Sequence, residues 1–223
     1  MEIQFAITLY IIIMEIALVF TVLKMLKHNN TEAKTMKIAF AIFSIWLVAV
    51  LLLFGNNTVL ATDISSLTLF IIILLGVGLG GLVLSPLFKA LIALPQEFLL
   101  LPQAFRMFFG AGFIVEAVFD IMPQGYGIVD GILHIMTAFL ATTLAIYVAR
   151  GAKVTKSLIA VNLFGLLDIV VVAYGIAFFI LSDIGVDHNV FYAVFFAAPI
   201  FIWLHLISLY KVYNESKQTQ EQK

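Results

Sequence analysis

The chain has 223 residues, of which 63% are hydrophobic and only 11% carry a charged side chain. Soluble domains contain roughly 45–50% apolar and about 25% charged residues, so this composition excludes a soluble enzyme and a disordered chain. Twelve Lys and Arg residues against thirteen Asp and Glu give a net charge of −1, which excludes a basic nucleic-acid-binding protein. The absence of cysteine excludes disulfides, thiolate metal ligands and cysteine nucleophiles.

The hydrophobic residues, about 140 in number, are enough for seven membrane-spanning helices of about 20 residues each. Seven apolar segments are bounded by polar residues, and apolar positions surround each of them, as lipid-immersed or buried helices require. We therefore predict an all-α polytopic membrane protein, with a seven-helix transmembrane domain over residues 1–212 and a polar cytoplasmic tail over residues 213–223. The predicted spans are residues 3–23, 37–54, 65–87, 99–119, 128–149, 157–181 and 190–210.

The basic residues orient this predicted bundle. Apart from Arg106, which falls inside span four, they lie in connections on one side of the membrane or in the tail, whereas residues 56–63, 123–127 and 182–189 contain no Lys or Arg. Cytoplasmic loops carry an excess of Lys and Arg, so we predict an external N-terminus and a cytoplasmic C-terminus. The orienting residues are Lys24, Lys27, Lys34, Lys37, Lys89, Arg150, Lys153, Lys156, Lys211, Lys217 and Lys223.

Glycine and proline mark places of close packing and of helix interruption. Gly76 and Gly80 form a small-xxx-small pair in span three, which predicts close helix packing and a candidate contact between copies of the chain. Pro95 and Pro102 break the approach to span four, and Pro199 predicts a kink in span seven.

Charged side chains inside a membrane cost about 3 kcal/mol or more unless they are paired or hydrated, so each is a candidate functional residue. An inner group consists of Gln103 and Arg106 in span four, Asn162 and Asp168 in span six, and His205 in span seven. We predict an ion pair between Arg106 and Asp168, assisted by Asn162 or His205, as part of a substrate or ion site. The alternatives are a purely structural ion pair, or an Arg106 side chain that extends to the cytoplasmic surface.

An outer group lies on the hairpin formed by spans four and five. Glu116 and Asp120 are four residues apart, as are Asp130 and His134, so each pair lies on one face of its helix. The short connection makes the two helices antiparallel neighbours. Three carboxylates and an imidazole can bind a divalent cation or relay protons. The alternative is a solvated vestibule in which Asp130 and His134 form a simple hydrogen-bonded pair.

Glu15, near the centre of span one, has no cation on its own helix. It is either a neutral, hydrogen-bonded carboxylic acid or it faces the same cavity as Asp168. No cofactor is predicted. Lys211 lies at the cytoplasmic end of span seven, too far out for a retinal Schiff base, and His134 and His205 differ in depth by about 15 Å, too much to bind one haem iron.

Parts of the sequence resemble a family of uncharacterised bacterial multi-pass membrane proteins. The likeness covers roughly the second half of the chain and implies the bacterial cytoplasmic (inner) membrane, without an established activity. The segments that carry it are Gln103-Ala-Phe-Arg106, Gly127-x-x-Asp130-Gly131 and Asn162-Leu-Phe-Gly165-Leu-Leu-Asp168.

Together these observations predict a transporter-like membrane protein for a small solute, an ion or a proton, with its polar site among spans four to seven. The alternative is a non-transporting sensor, accessory subunit or scaffold whose buried polar residues are structural. An intramembrane enzyme is a third hypothesis, disfavoured because the sequence offers no obvious nucleophile or metal triad. The expected partners are the lipid bilayer and a small solute, proton or cation, and no nucleic acid.

Overall fold

The computed structural model describes residues 2–55, 73, 76, 80–184 and 188–221. Within these ranges the chain is helical apart from short connections. A 3₁₀ turn, Leu101–Phe105, joins α4 to α5, and the segments Ile176–Ile180 and Ala193–Ala197 are π-helical. The α-helices are α1 (Glu2–His28), α2 (Ala33–Gly55), α3 (Pro86–Ala93), α4 (Gln96–Leu100), α5 (Arg106–Val118), α6 (Gln124–Ala149), α7 (Thr155–Gly175), α8 (Leu181–Ile184), α9 (Val190–Tyr192) and α10 (Ala198–Glu221).

Six stretches of the described chain are helices long and apolar enough to cross a membrane. They correspond to six of the seven predicted spans, so the all-α, membrane-embedded architecture is confirmed to that extent. The predicted third span, residues 65–87, lies mostly outside the described residues. The six stretches are Ile3–His28, Ala33–Phe54, Gln96–Val118, Gln124–Ala149, Thr155–Ile180 and Val190–Lys217.

The last span is the central helix of the bundle. In its most apolar stretch 78% of the residues are buried, whereas the corresponding figure for the second span is 22%. Helix α10 packs against α7, α4 and α3, and α5 packs along α6. The second span is therefore peripheral, and its apolar surface is available to lipid.

Three helix ends reverse the chain sharply, which keeps the connections short. The turn residues Asn30 and Asp120 have φ of 55°, and Gly151 has φ of 80°. In each turn the following N–H bonds to the carbonyl five residues back, the Schellman arrangement that closes a helix C-terminus. These bonds run from Thr31 to Leu26, from Ile121 to Glu116 and from Ala152 to Tyr147, at 2.9–3.1 Å.

The α5–α6 hairpin is packed through glycine. A Cβ atom on Gly131 would lie 2.5 Å from the Gly110 carbonyl oxygen and 2.5 Å from Ile114 Cγ1. Only a residue without a side chain permits this backbone approach. The prediction that spans four and five are antiparallel neighbours is thus confirmed, and their contact is close enough to bring polar groups of the two helices together.

The break between α3 and α4 occurs where Pro95 forces an extended conformation on Leu94. The carbonyl groups left open at the end of α3 are bound by Lys211, whose Nζ donates to Ile92 O at 2.9 Å and also to Leu94 O. Lys211 therefore caps α3, as cations near helix C-termini commonly do.

The irregularity predicted at Pro199 takes the form of the π-helical segment Ala193–Ala197, which lies directly before it. Pro199 has no N–H to donate to the carbonyl of Phe195, four residues earlier. Trp46 of α2 supplies the missing donor, because its Nε1 lies 2.8 Å from Phe195 O.

We expect Gly131→Ala to destabilise the protein by about 1–3 kcal/mol, because the new methyl group would overpack the contact with Gly110. Thermal unfolding of the detergent-solubilised protein measures this effect. Gly125→Ala is the matched control on the same helix, since nothing lies within 4 Å of its Cβ position. Equal loss of stability in both variants would contradict the close approach.

Candidate functional site

The guanidinium of Arg106, at the start of α5, is fully buried in the bundle. Its Nη2 forms an ion pair with Oδ2 of Asp168 on α7, and its Nη1 donates to Gly165 O at 3.0 Å. Phe201 of α10 lies below the guanidinium, 5.7 Å from Cζ to the ring centroid. Sequence reasoning predicted this pair, and the structure brings the two residues together.

The two carboxylate oxygens of Asp168 have different surroundings. Oδ2 accepts from Arg106 and lies 2.9 Å from the Thr137 hydroxyl oxygen. Oδ1 makes no hydrogen bond and lies 3.5 Å from Nδ1 of His134. One oxygen is thus held by protein donors, while the other faces α6.

His134 faces two carboxylates at once. Its Nδ1 lies 3.0 Å from Oδ1 of Asp130, one turn earlier on α6, and 3.5 Å from Oδ1 of Asp168. Both contacts are ion pairs when the imidazole is protonated. Asp130, His134 and Asp168 form what we call the central cluster, and all three are buried.

The central cluster corrects the division into an inner and an outer group. Helix α6 begins at Gln124, four residues before the predicted start. His134 therefore lies about 15 Å along its helix rather than about 9 Å, at 1.5 Å per residue. Because Nδ1 of His134 lies 3.5 Å from Asp168 Oδ1, Asp130 and His134 join the Arg106–Asp168 pair instead of forming a separate external group.

Glu116 is buried close to the central cluster, on the side of the α5–α6 turn. Its carboxylate interacts electrostatically with Asp130 and with the side chain of Asn189. Just before α9, His188 lies at the α5–α6 turn, with its Nε2 3.2 Å from Ile121 O. Sequence reasoning missed both His188 and Asn189, because nothing in a loop sequence indicates that it lies at a neighbouring turn.

Asp120 lies apart from these residues. Its side chain is exposed and accepts a hydrogen bond from Nε2 of Gln124 at 3.0 Å. Its backbone closes the end of α5 with a positive φ. Asp120 was predicted to lie on one helix face with Glu116. That prediction is wrong, because Asp120 lies in the turn after α5.

A second set of polar side chains, the inner network, links α4, α7 and α10. Nδ1 of His205 lies 2.9 Å from Oδ1 of Asn162, whose Nδ2 donates to Ser208 Oγ at 2.8 Å. Gln96 of α4 also donates to Ser208 Oγ. Nε2 of His205 makes no hydrogen bond, and its ring fills the space where a side chain on Gly165 would stand.

The inner network extends what the sequence predicted. Asn162 and His205 were expected to assist the ion pair, and they bond to each other beside it. Ser208 was missed, although it stands three residues after His205 and thus on the same helix face. Thr137 was missed as well, although it stands three residues after His134 and shares its face in the same way. Spacing from a known polar residue would have found both.

Gln103 and Glu15 lie outside both sets. Nε2 of Gln103 donates to Phe201 O at 3.3 Å and so fastens the 3₁₀ turn to α10. Both oxygens of Glu15 are buried in the bundle without a hydrogen bond, and Tyr192 is an electrostatic neighbour. The cavity beside His134 is not lined by Glu15.

A small cavity borders the central cluster. It encloses about 30 Å³ between α5, α7 and the last span, and His134 is the polar residue in its apolar lining, which includes Phe109, Phe113 and Phe201. A water molecule needs about 10–15 Å³ by this measure, so the cavity has room for about two.

The charges of this region do not cancel while His134 is neutral, because its imidazole carries a positive charge only when it is protonated. Asp130 and Asp168 contribute two negative charges when ionised, and Arg106 contributes one positive charge. Glu116 can only add to the negative side. Since an uncompensated buried charge is costly, the arrangement favours a cation or a proton at the central cluster.

Arg106→Gln and Asp168→Asn should each destabilise the protein by about 3–5 kcal/mol, because each leaves a buried charge without its partner. The double variant should lose less than the sum of the two single losses. Unfolding in detergent measures the cycle, with exposed Arg150→Gln as the control. A double loss equal to the sum of the two single losses would contradict the pairing energy.

Comparison with known proteins gives one family. The match covers residues 63–213, which include every residue of the central cluster and of the inner network but not Glu15. No curated protein matches the chain significantly, and no solved structure does so either. Because the matched segment is more than half of the chain, the protein belongs to the family described as a domain of unknown function, DUF8737.

Proposed function

We propose that this integral membrane protein is transporter-like and carries a small cation, a proton or a metal ion, through the polar site formed by α5, α6, α7 and α10. The observation that carries the proposal is the central cluster, where two buried carboxylates face one imidazole and a single guanidinium. While His134 is neutral the two carboxylates carry one more charge than Arg106 offsets, and a proton or a metal ion bound between them supplies the missing positive charge.

Polar groups lead away from the central cluster in both directions. On one side Glu116 and Asn189 reach the end of the bundle where the α5–α6 turn lies. On the other side the inner network runs from His205 to Gln96, at the start of α4. These groups supply successive binding positions for a cation along the length of the bundle.

The size of the cavity favours a small cargo. A space of about 30 Å³ beside His134 accommodates water or an ion, but no organic solute. Of the solute, ion and proton hypotheses, the last two therefore fit this conformation.

The remaining parts of the proposal come from the sequence. The third of the seven predicted spans, residues 65–87, stays a prediction. The external N-terminus and the bacterial cytoplasmic membrane also stay predictions. A contact between copies through Gly76 and Gly80 also stays a prediction, and no described atom lies within 4 Å of their Cβ positions.

The alternative is a non-transporting scaffold, sensor or accessory subunit. The inner network favours it, because Asn162, Ser208 and Gln96 bond mainly to one another and join three helices. In that case the polar residues specify helix packing only, and no ion crosses.

Flux measurements in proteoliposomes separate these two functions. Under an imposed potential, we expect the wild type to admit protons or divalent cations, detected by an enclosed pH-sensitive or metal-sensitive dye. Asp130→Asn should reduce the flux to that of empty liposomes, because it removes one negative charge from the central cluster. The amide has nearly the same shape as the carboxylate and keeps an oxygen that can face Nδ1 of His134.

Asp120→Asn is the matched control, since it changes the same residue type on the same hairpin at an exposed position. It should leave the flux unchanged. Wild-type protein that is folded in the liposomes but moves neither protons nor divalent cations would overturn the transport proposal and favour the scaffold.

A further inference from the structure

We propose that Asp130, His134 and Asp168 form a binding site for a divalent transition-metal ion of the zinc class. This inference rests on the proposed function and deepens it, because it names the cation. It is argued from the positions of three donor atoms, from their lack of hydrogen bonds and from the groups that hold them.

The donor atoms of the central cluster are spaced closely enough to bind one metal ion. One nitrogen of His134 and one oxygen from each carboxylate all lie within 4.8 Å of one another. The nitrogen is 3.0 Å from Asp130 Oδ1 and 3.5 Å from Asp168 Oδ1. Zinc binds such atoms at about 2.0–2.2 Å, so neighbouring ligands of a tetrahedral ion stand about 3.3–3.6 Å apart. Small side-chain shifts would close this set around an ion.

These donor atoms have no hydrogen-bond partner outside the central cluster. Asp130, His134 and Asp168 are 2%, 8% and 3% exposed. Nδ1 of His134, both oxygens of Asp130 and Oδ1 of Asp168 make no hydrogen bond. Buried polar atoms nearly always have partners, and here one atom of each residue faces the other two without a donor or acceptor from the surrounding helices, as the ligands of a shared ion would.

Neighbouring groups hold the donor atoms of the central cluster in position. Arg106 and Thr137 occupy Oδ2 of Asp168, which leaves Oδ1 directed at His134. Asp130 and His134 stand one turn apart on α6, so a rigid helix sets their spacing. Outer groups that orient a carboxylate ligand in this way are typical of metal sites.

The donor set selects the class of metal. Imidazole with carboxylate oxygens suits zinc and its first-row neighbours, whereas Mg²⁺ and Ca²⁺ prefer six or more oxygen ligands. A divalent ion would also offset the excess negative charge that Arg106 leaves. The cavity at His134 has room for a water molecule at the position that three protein ligands leave open.

Calorimetric titration of the purified full chain in detergent, after treatment with a chelator, tests the proposal. We expect one Zn²⁺ per chain, little Mg²⁺ binding, and an increase in unfolding temperature with Zn²⁺. Loss of an outer partner costs roughly 10- to 100-fold in metal affinity, so loss of a ligand in Asp130→Asn should cost at least as much. Asp120→Asn should bind as the wild type does.

The absence of cysteine from the chain allows a spectroscopic test of the same position. In His134→Cys the new thiolate remains a ligand that zinc accepts. With Co²⁺ as the probe, this variant should gain a cobalt–thiolate charge-transfer band that the wild type lacks. The band identifies residue 134 as a ligand directly, even if the variant is less stable.

Zn²⁺ affinity that is unchanged in Asp130→Asn would overturn the site, as would a folded His134→Cys that binds Co²⁺ without the band. Equal affinity for Mg²⁺ would overturn the zinc class. The two proposals can fail separately. Zn²⁺ binding without flux in liposomes leaves the metal site and removes transport, whereas flux without Zn²⁺ binding removes the metal site alone.

Discussion

The burial of one guanidinium constrains much of this structure. Arg106 is always charged and has no access to water, so the bundle must supply an anion and further acceptors around it. Asp168 and the Gly165 carbonyl do so from a single turn of α7. That requirement sets how α5 faces α7, and it leaves the second oxygen of Asp168 turned towards α6. The central cluster is therefore a consequence of how the ion pair is built.

Much of the fold and part of the site could be predicted from the sequence, for physical reasons. Long apolar runs identify spans because lipid offers the backbone no hydrogen bonds. Arg106 and Asp168 could be paired because an isolated charge at that depth is too costly. The contact between His134 and Asp168 could not, because it depended on where α6 begins. Gly125 and Gly127 look like loop residues, yet they are helical, and this moves His134 along its helix by about one turn.

Other contacts of the site could not be predicted from the spacing of residues in the sequence. Asn189 approaches Glu116 because His188 and Asn189, just before α9, lie at the α5–α6 turn, a contact between residues far apart in sequence. Gln96 reaches Ser208 across 112 positions, and here too only the packed helices reveal the partner. Asp120 shows the opposite error, since a carboxylate at the correct spacing turned out to close a helix. Spacing along a helix finds neighbours on one face but says nothing about contacts between helices.

The hydrogen bond from Trp46 to Phe195 bears on where the folding unit ends. The family match begins at residue 63, so it excludes α2, yet Trp46 of α2 satisfies the carbonyl that Pro199 leaves open in the central helix. Tyr10 of α1 makes a similar contact with Phe108 O, at 2.9 Å. A fragment cut at the family boundary would lose both of these donors from the two carbonyls. Helices α1 and α2 therefore pack as part of the same bundle as the segment that the family match covers.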